Sequence, residues 1–243
     1  MTPSRTQLQI GELWDATTVG SVPALGLGTV HLWQRPLHST AAELAASYEL
    51  LSNDEKERAL RFRIERTHVD YVLTRGTLRL LLAQYLGTSP HEVHFRYGLH
   101  AKPLLEGDNR LRFNVSHTHG LAMMAFTRDR AIGVDVENVT RSTDVERLAE
   151  RFFSQAEREA LMQLPAQELR AAFFRCWTRK EAYIKAKGDG LSLPLREFDV
   201  SITLGDRDAL LATRPDPTGA AGWTICDISV GPEFAAAVAV APE

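Results

Sequence analysis

The chain carries only two cysteines, no long apolar run and no large excess of either charge. Cys176 and Cys226 stand alone among 243 residues and build neither a zinc cluster nor a disulfide framework, so a reducing, cytoplasmic location is expected. Residues 1–15 have no apolar core of a signal peptide. The longest apolar run, 234–242, is shorter than the about 20 residues that cross a bilayer. A formal net charge of -3 gives no global attraction to nucleic acid. We therefore predict neither a membrane nor a nucleic-acid partner.

The order of helical and strand patterns predicts an α+β protein. The composition, 44% hydrophobic and 24% charged, is sufficient for a sizeable core. Helical periodicity fills 56–86, with a break near 66–67, and strand patterns follow. After a turn at 127–130 a similar order returns. It comprises a strand at 131–137, helices at 144–152, 155–162 and 167–187, and strands at 199–203, 222–230 and 234–241. We predict an N-terminal α+β subdomain at 1–128, partly irregular over 1–40, and a C-terminal one at 129–243.

A strand pattern at 131–137 places two carboxylates on one face. Gly133, Asp135 and Glu137 alternate with three apolar residues, so they point to the same side. The backbones of the two acids lie roughly 6–7 Å apart there, which lets both side chains reach one hard cation. Gly133 is expected to leave room for a ligand near the backbone. The alternative is a solvated face that ends in a polar turn.

The predicted helix 167–187 presents a second candidate. Trp177, Glu181 and Lys185 recur at every fourth residue and form one stripe. A surface Glu–Lys pair at this spacing is common and stabilises a helix by only about 0.2–0.5 kcal/mol, which is the plainer explanation. Tryptophan in the same stripe indicates burial at one end. We therefore expect Glu181 and Lys185 at the edge of a core, where clefts form, before a turn at 188–191.

Polar residues ahead of the acidic strand are candidates for binding phosphate. Ser116 and His117 end a strand pattern and offer a hydroxyl and an imidazole donor, although a polar turn explains them equally well. No Gly-x-Ser-x-Gly sequence marks Ser116 as a nucleophile. Lys102 lies in a loop that a following proline stiffens. Arginines crowd the first long helical region, among them Arg58 and Arg66, either as a phosphate-holding patch or as a solvated face.

Taken in order, these segments resemble the 4'-phosphopantetheinyl transferases, in particular the larger, two-halved type that activates peptide synthetases and polyketide synthases. Residues 113–117 (Phe-Asn-Val-Ser-His), 132–137 (Ile-Gly-Val-Asp-Val-Glu) and 177–191 are similar to three motifs of the family, and 101–103 (Ala-Lys-Pro) to a shorter one. The resemblance covers about 52–200. The family often has a basic residue near position 55. This chain has Glu55, so Arg58 or Arg66 is expected to contact the 3'-phosphate instead.

The resemblance implies an architecture and a reaction. Two similar subdomains, each a small antiparallel sheet packed with helices, would be related by a pseudo-two-fold axis with the active site at the seam. Coenzyme A would be the donor and a serine of an apo acyl or peptidyl carrier domain the acceptor. The products would be the holo carrier and adenosine 3',5'-bisphosphate. One chain holds both halves, which favours a monomer.

The resemblance also assigns roles to the candidate residues. Asp135, Glu137 and Glu181 would hold Mg²⁺, for which Mn²⁺ can substitute. Glu181, directly or through a metal-bound water, would take the proton of the incoming serine, and Lys185 would stabilise charge on the pyrophosphate. The expected contacts to coenzyme A come from Arg58, Arg66, Lys102, Ser116 and His117.

An acidic carrier protein would need a basic or apolar landing surface. The helices after the acidic strand offer one, together with the apolar Phe152 and Phe153, or they form an ordinary solvated face. The basic residues of this surface are Arg141, Arg147, Arg151, Arg158, Arg170, Arg175 and Arg179.

Two other classes of protein compete with the transferase. One is a non-catalytic module that keeps a coenzyme A cleft, and the complete set of Asp135, Glu137, Glu181 and Lys185 argues against it. The other is a different Mg²⁺-dependent enzyme such as a nuclease, which the absence of global positive charge disfavours.

Overall fold

The chain folds into two compact units that both contain helices and strands. The computed structural model describes residues 8–18, 20–98, 102–107, 110–188, 193–207 and 209–243. Unit 1 consists of Met1–Leu111 with His119–Asp129, and unit 2 of Arg112–Thr118 with Arg130–Glu243. The predicted α+β class is confirmed. The predicted symmetry axis stays a prediction.

The elements of the described residues follow in chain order. The helices are α1 (Ala41–Glu49), α2 (Asn53–Leu60), α3 (Glu65–Leu86), α4 (Val145–Phe152), α5 (Gln155–Met162) and α6 (Ala166–Lys187). The strands are β1 (Gln9–Asp15), β2 (Thr29–Pro36), β3 (Phe95–Tyr97), β4 (Pro103–Leu105), β5 (Leu111–Thr118), β6 (Leu121–Arg128), β7 (Ile132–Asn138), β8 (Phe198–Val200), β9 (Leu210–Thr213), β10 (Thr224–Asp227) and β11 (Phe234–Val240). In the ranges described, each helix is too short or too polar to cross a bilayer.

In unit 1, β1, β2 and β6 lie side by side and α3 supplies much of the buried surface. β1 runs parallel to β2, whereas β6 is antiparallel to it. The break between α2 and α3 lies at 61–64, slightly before the predicted position. Across the break, His68 Nδ1 lies 2.9 Å from the Ala59 carbonyl oxygen in the last turn of α2. Gly87 ends α3 in the left-handed conformation, as the sequence predicted.

In unit 2, α6 packs closely on the antiparallel sheet β10-β11-β7. Alanines of β11 stand opposite the polar face of β7, with Ala237 beside Asp135 and Ala235 beside Glu137. These small neighbours let the helix approach, and a Cβ on Gly133 would lie only 2.0 Å from the carbonyl oxygen of Ala182. The expectation that Gly133 leaves room for a ligand is therefore wrong, because α6 fills that space.

Two fully buried cations hold α6 in the interior of unit 2. Arg179 pairs with Asp227 at 2.7 Å and also donates to the carbonyls of Ser201 and Thr203. Lys180 pairs with Glu157 at 2.6 Å and donates to the Phe198 carbonyl. Buried charges with such complete partners fix a helix against its neighbours rather than serving a ligand. The next residue along the helix, Glu181, faces a different environment.

Candidate active site

β7, α6 and β5 bring three predicted site residues into direct contact inside unit 2. Asp135 is buried, and its Oδ1 accepts hydrogen bonds from Lys185 Nζ at 2.6 Å and from Ser116 Oγ at 2.9 Å. Lys185 Nζ also donates to Ser116 Oγ at 2.8 Å and to the Val134 carbonyl at 3.3 Å. A strand, a helix and a second strand thus converge on one carboxylate.

The two remaining carboxylates, Glu137 and Glu181, are half-buried beside Asp135. Burial first, and then the charge of Asp135, raises the pKa of Glu137, while Arg141 and Lys185 lower it. Burial likewise raises the pKa of Glu181, followed by the charge of Asp135, and Lys185 opposes them. The charge of Asp135 therefore disfavours ionisation of both glutamates.

The donor atoms of this cluster fit a hard divalent cation. Asp135 Oδ2 is buried and has no hydrogen-bond partner in the described part of the chain. Carboxylate oxygens are the ligands that Mg²⁺ takes in proteins. As the side chains stand, no three His, Cys, Asp or Glu residues of the described ranges are close enough together to hold a metal ion. Coordination therefore requires the acids to turn toward a common point.

Trp177 anchors the end of the predicted helical stripe in the core. Its ring lies 5.6 Å from that of Phe152 and 5.9 Å from that of Phe173. The stripe thus runs from an aromatic cluster at Trp177 to the carboxylate cluster at Glu181 and Lys185. Trp177 is itself only partly buried, so the predicted burial of this end of the stripe is partial.

β5 contributes two residues that the sequence did not single out. Asn114 Oδ1 accepts from the Val134 amide at 2.8 Å, and Thr118 Oγ1 accepts from the Asn138 amide at 3.2 Å. Together with Ser116 they occupy alternate positions of the strand and share its face toward β7. This alternation of polar residues is the sequence pattern from which Asn114 and Thr118 could have been predicted. His117 lies between them on β5 and is exposed.

Three predicted coenzyme A contacts belong to unit 1. Arg58 lies over the ring of Tyr71 at 5.5 Å, and Arg66, on the first turn of α3, is 3.9 Å from Asp70. Lys102 directly precedes β4. Two segments of the predicted motifs, Ala101 and 189–191, lie outside the described residues. The roles of Arg58, Arg66 and Lys102 stay predictions.

Glu55, the residue that departs from the family pattern, is part of a buried ion cluster in unit 1. Its carboxylate pairs with Arg75 at 2.6 Å and with Arg79 at 2.5 Å. Arg79 also donates to the carbonyls of Pro90 and Val93. Arg75 and Arg79 are therefore interior structural residues and not part of a phosphate-holding patch.

The expected landing surface for a carrier is smaller than predicted. Arg179 is buried, Arg175 donates to the Ile202 carbonyl at 2.7 Å, and Arg170 donates to loop carbonyls including that of Val139 at 2.6 Å. Phe153 is also buried, stacked on Phe173. Arg179 and Phe153 cannot receive a partner because they are buried, whereas Arg170 and Arg175 are partly exposed but committed to backbone carbonyls.

On α4, Arg147 and Arg151 are exposed one turn apart. Residues four apart on a helix share a face. Together they present two positive charges on α4, where Glu146 and Glu150 are also exposed.

Comparison with known proteins finds matches over both parts of the chain. A family model described as the 4'-phosphopantetheinyl transferase superfamily matches residues 131–239, and one described as 4'-phosphopantetheinyl transferase, N-terminal, matches residues 35–128. The chain is 39% identical over 215 residues to the 4'-phosphopantetheinyl transferase HetI of Nostoc sp., covering 87% of each chain. It is 29% identical over 168 residues to the 4'-phosphopantetheinyl transferase Sfp of Bacillus subtilis, covering 69% of this chain and 73% of Sfp. It is 35% identical over 111 residues to the 4'-phosphopantetheinyl transferase AcpT of Salmonella typhimurium, covering 45% of this chain and 56% of AcpT.

Proposed function

The chain belongs to the 4'-phosphopantetheinyl transferase superfamily, and on that premise we propose that it transfers the 4'-phosphopantetheine moiety of coenzyme A to a serine of an apo carrier protein. Adenosine 3',5'-bisphosphate is the second product. The observation that carries the proposal is the buried contact of Asp135 with Lys185 and Ser116, beside Glu137 and Glu181. We place the enzyme in the cytoplasm as a monomer.

The three carboxylates are the proposed metal ligands. Asp135, Glu137 and Glu181 hold Mg²⁺, or Mn²⁺ in its place, and the unpartnered Asp135 Oδ2 supports this assignment. The bound ion supplies neutralisation of the charge on the pyrophosphate oxygens. When no metal ion is bound, Lys185 balances the charge of Asp135. During transfer, Lys185 adds positive charge next to the pyrophosphate oxygens.

The proposed transfer is a displacement at phosphorus. The serine oxygen of the carrier bonds to the phosphorus that bears the pantetheine. The bond from this phosphorus to the bridging oxygen breaks, so the leaving group is adenosine 3',5'-bisphosphate. Glu181, directly or through a metal-bound water, takes the proton of the serine hydroxyl.

Five polar residues are the proposed contacts to coenzyme A. Ser116 and His117 bind phosphates of the nucleotide. Arg58 and Arg66 are the candidates for the 3'-phosphate, since Glu55 is committed to Arg75 and Arg79. Lys102 lines the adenine end.

The decisive experiment follows the mass of the acceptor. The wild-type protein is incubated with coenzyme A, Mg²⁺ and an apo carrier domain, with fatty-acid, polyketide and peptide carriers in separate reactions. A gain of one phosphopantetheine, with release of adenosine 3',5'-bisphosphate, is expected. Binding of coenzyme A without a mass gain would instead favour a non-catalytic module. Neither binding nor mass gain would favour a different metal-dependent enzyme.

The exposed arginines of α4 are the proposed landing site for an acidic carrier. The double substitution Arg147→Glu and Arg151→Glu should raise the KM for the carrier roughly tenfold and leave the KM for coenzyme A unchanged, because exposed charges act mainly on encounter. Arg196→Glu, an exposed charge reversal elsewhere in unit 2, is the matched control. Equal carrier KM values in the double variant and the wild type would exclude this surface.

A further inference from the structure

We propose that Asn114 and Thr118 are positioning residues that hold the acidic strand in register for metal binding, an inference that rests on the proposed function. Both side chains reach backbone amides of β7 from β5, that of Val134 at 2.8 Å and that of Asn138 at 3.2 Å. Neither side chain is itself one of the proposed metal ligands.

The two contacts lie along the edge of β7 that faces away from β11. β11 pairs with β7 over its full length, from Ile132 to Asn138. Amides of a strand point alternately to its two sides. Val134 and Asn138 have the same parity, so both amides point to the side where β5 supplies side-chain acceptors. Side-chain oxygens thus take the place of a neighbouring backbone.

The anchored positions enclose the two acids. Val134 immediately precedes Asp135, and Asn138 immediately follows Glu137. Between them Ser116 donates to Asp135 Oδ1 at 2.9 Å, and the Thr118 hydroxyl lies 3.5 Å from Glu137 Oε2. The three polar side chains of β5 therefore fix the backbone on both sides of the acids and contact each acid directly.

The hydrogen-bonding atoms themselves are what the proposal requires. Valine has nearly the shape of threonine and fills the same space, but it offers no acceptor to the Asn138 amide. Serine keeps the hydroxyl. Contacts that orient metal ligands typically contribute 10–100-fold to metal affinity or activity. Thr118→Val therefore tests the loss of the hydrogen bond, and Thr118→Ser tests the loss of packing.

The test measures Mn²⁺ binding to the full chain by electron paramagnetic resonance, without coenzyme A or carrier. Thr118→Val should weaken binding by about tenfold and speed hydrogen exchange of the Asn138 amide, while Thr118→Ser stays close to the wild type. Asn114→Leu should weaken Mn²⁺ binding similarly and speed exchange of the Val134 amide. If Asn114→Leu does not fold, the two Thr118 variants decide the question.

Several outcomes overturn the proposal. They are a wild type that binds no Mn²⁺, a Thr118→Val variant that binds Mn²⁺ as the wild type does, and a Thr118→Ser variant as weak as Thr118→Val. A lower melting temperature with unchanged Mn²⁺ affinity would mean that the contacts are merely structural. If the wild type modifies no carrier but the Thr118 variants still differ in Mn²⁺ affinity, the transfer proposal fails and the positioning role stands.

Discussion

The two oxygens of the Asp135 carboxylate have different surroundings. Its Oδ1 is paired with Lys185 and Ser116, whereas its Oδ2 is buried without a hydrogen-bond partner among the described residues. A buried acceptor with no partner costs stability. Such a group persists in a fold when another species satisfies it, and the neighbouring acids make a cation the suitable species.

Replacing Asp135 should affect turnover far more than folding. Asp135→Asn is expected to lower the rate of carrier modification by more than about 100-fold, because even outer contacts of a metal site contribute 10–100-fold. The melting temperature should change little, since loss of the ion pair with Lys185 is offset by relief of the repulsion from Glu137 and Glu181. Initial rates at saturating Mg²⁺ and thermal unfolding check this. Glu168→Gln, an exposed change on α6, is the control, and an Asp135→Asn variant with wild-type rates would refute the assignment.

Glu137 and Glu181 should give the metal-free protein a characteristic pH dependence. Both carboxyl groups have pKa values above the ordinary 4.5, so the folded state binds their protons more tightly than the unfolded state does. The free energy of unfolding should therefore fall as pH rises from 4.5 through the raised pKa values. Glu137→Gln should flatten this part of the profile.

Mg²⁺ should reduce the fall in the free energy of unfolding at high pH, because it binds the ionised carboxylates. The increase in melting temperature on adding Mg²⁺ should be large at about pH 8 and small at about pH 5, where protons compete for the same oxygens. Thermal unfolding with and without Mg²⁺ measures it. An increase of equal size at both pH values would contradict metal binding by these carboxylates.

α6 packs directly on β7, so the strand and the helix together set the geometry of the site. Gly133 lies where the helix backbone crosses, with Ala182 O and Ala186 N within 2.0 and 2.5 Å of a built Cβ. Asp135 lies just after Gly133 on β7, and Glu181 lies just before Ala182 on α6. The spacing of these two acids depends on that crossing.

Gly133→Ala should therefore destabilise the protein, because a methyl group has no space between two backbones. Overpacking of this kind costs about 1–3 kcal/mol or more, and displacement of α6 should also weaken Mn²⁺ binding. Urea unfolding measures the first effect. Gly26→Ala is the control, since its nearest atom, Thr29 Oγ1, is 3.4 Å away. Equal stability of the two variants would show that α6 can shift freely.

The sequence predicted elements well where capping and periodicity agreed. α5 occupies the predicted 155–162 because Ser154 and Glu157 form a capping box, and α6 begins one residue before its predicted start. β1, β4 and β9 were missed because their strand patterns are weak. Arg179 was predicted to lie on the basic landing surface, and the burial of Lys180 was not predicted, since charged side chains are rarely buried. Their partners Asp227 and Glu157 are remote in sequence and carry no local signal.

In the candidate site, too, local motifs were informative, whereas contacts between residues remote in sequence were not predicted. Its motifs correctly grouped Asp135, Ser116 and Lys185, which meet in unit 2. The commitment of Glu55 to Arg75 and Arg79 depends on contacts between separate helices. Helical spacing alone does not reveal such contacts.

The chain is not divided at a single point, because unit 2 takes one strand from before its main segment. Residues Arg112–Thr118 belong to unit 2, while His119–Asp129 belong to unit 1. A fragment of residues 130–243 would therefore leave the amides of Val134 and Asn138 without their acceptors on β5. An open strand edge of this kind favours aggregation.

A peptide of residues 111–118 should bind that fragment and raise its melting temperature, because it restores the acceptors of Asn114 and Thr118. A peptide with alanine at 114, 116 and 118 is the matched control. Thermal unfolding and sedimentation of the fragment with each peptide measure the effect. Identical melting and aggregation with both peptides would show that the polar face of β5 contributes nothing.

The pairing of β7 with β11 also constrains when this protein can mature on the ribosome. Ile132 lies opposite Val240 and Asn138 opposite Phe234, so the acidic strand must wait for nearly all of the intervening chain to be synthesised before it can pair. Contacts between such distant segments form slowly and leave unpaired strands exposed in the meantime. Unit 1 receives its last residues before β7 is translated. The acidic cluster therefore assembles only after β11 has been synthesised, and no activity is expected from chains that end before β11.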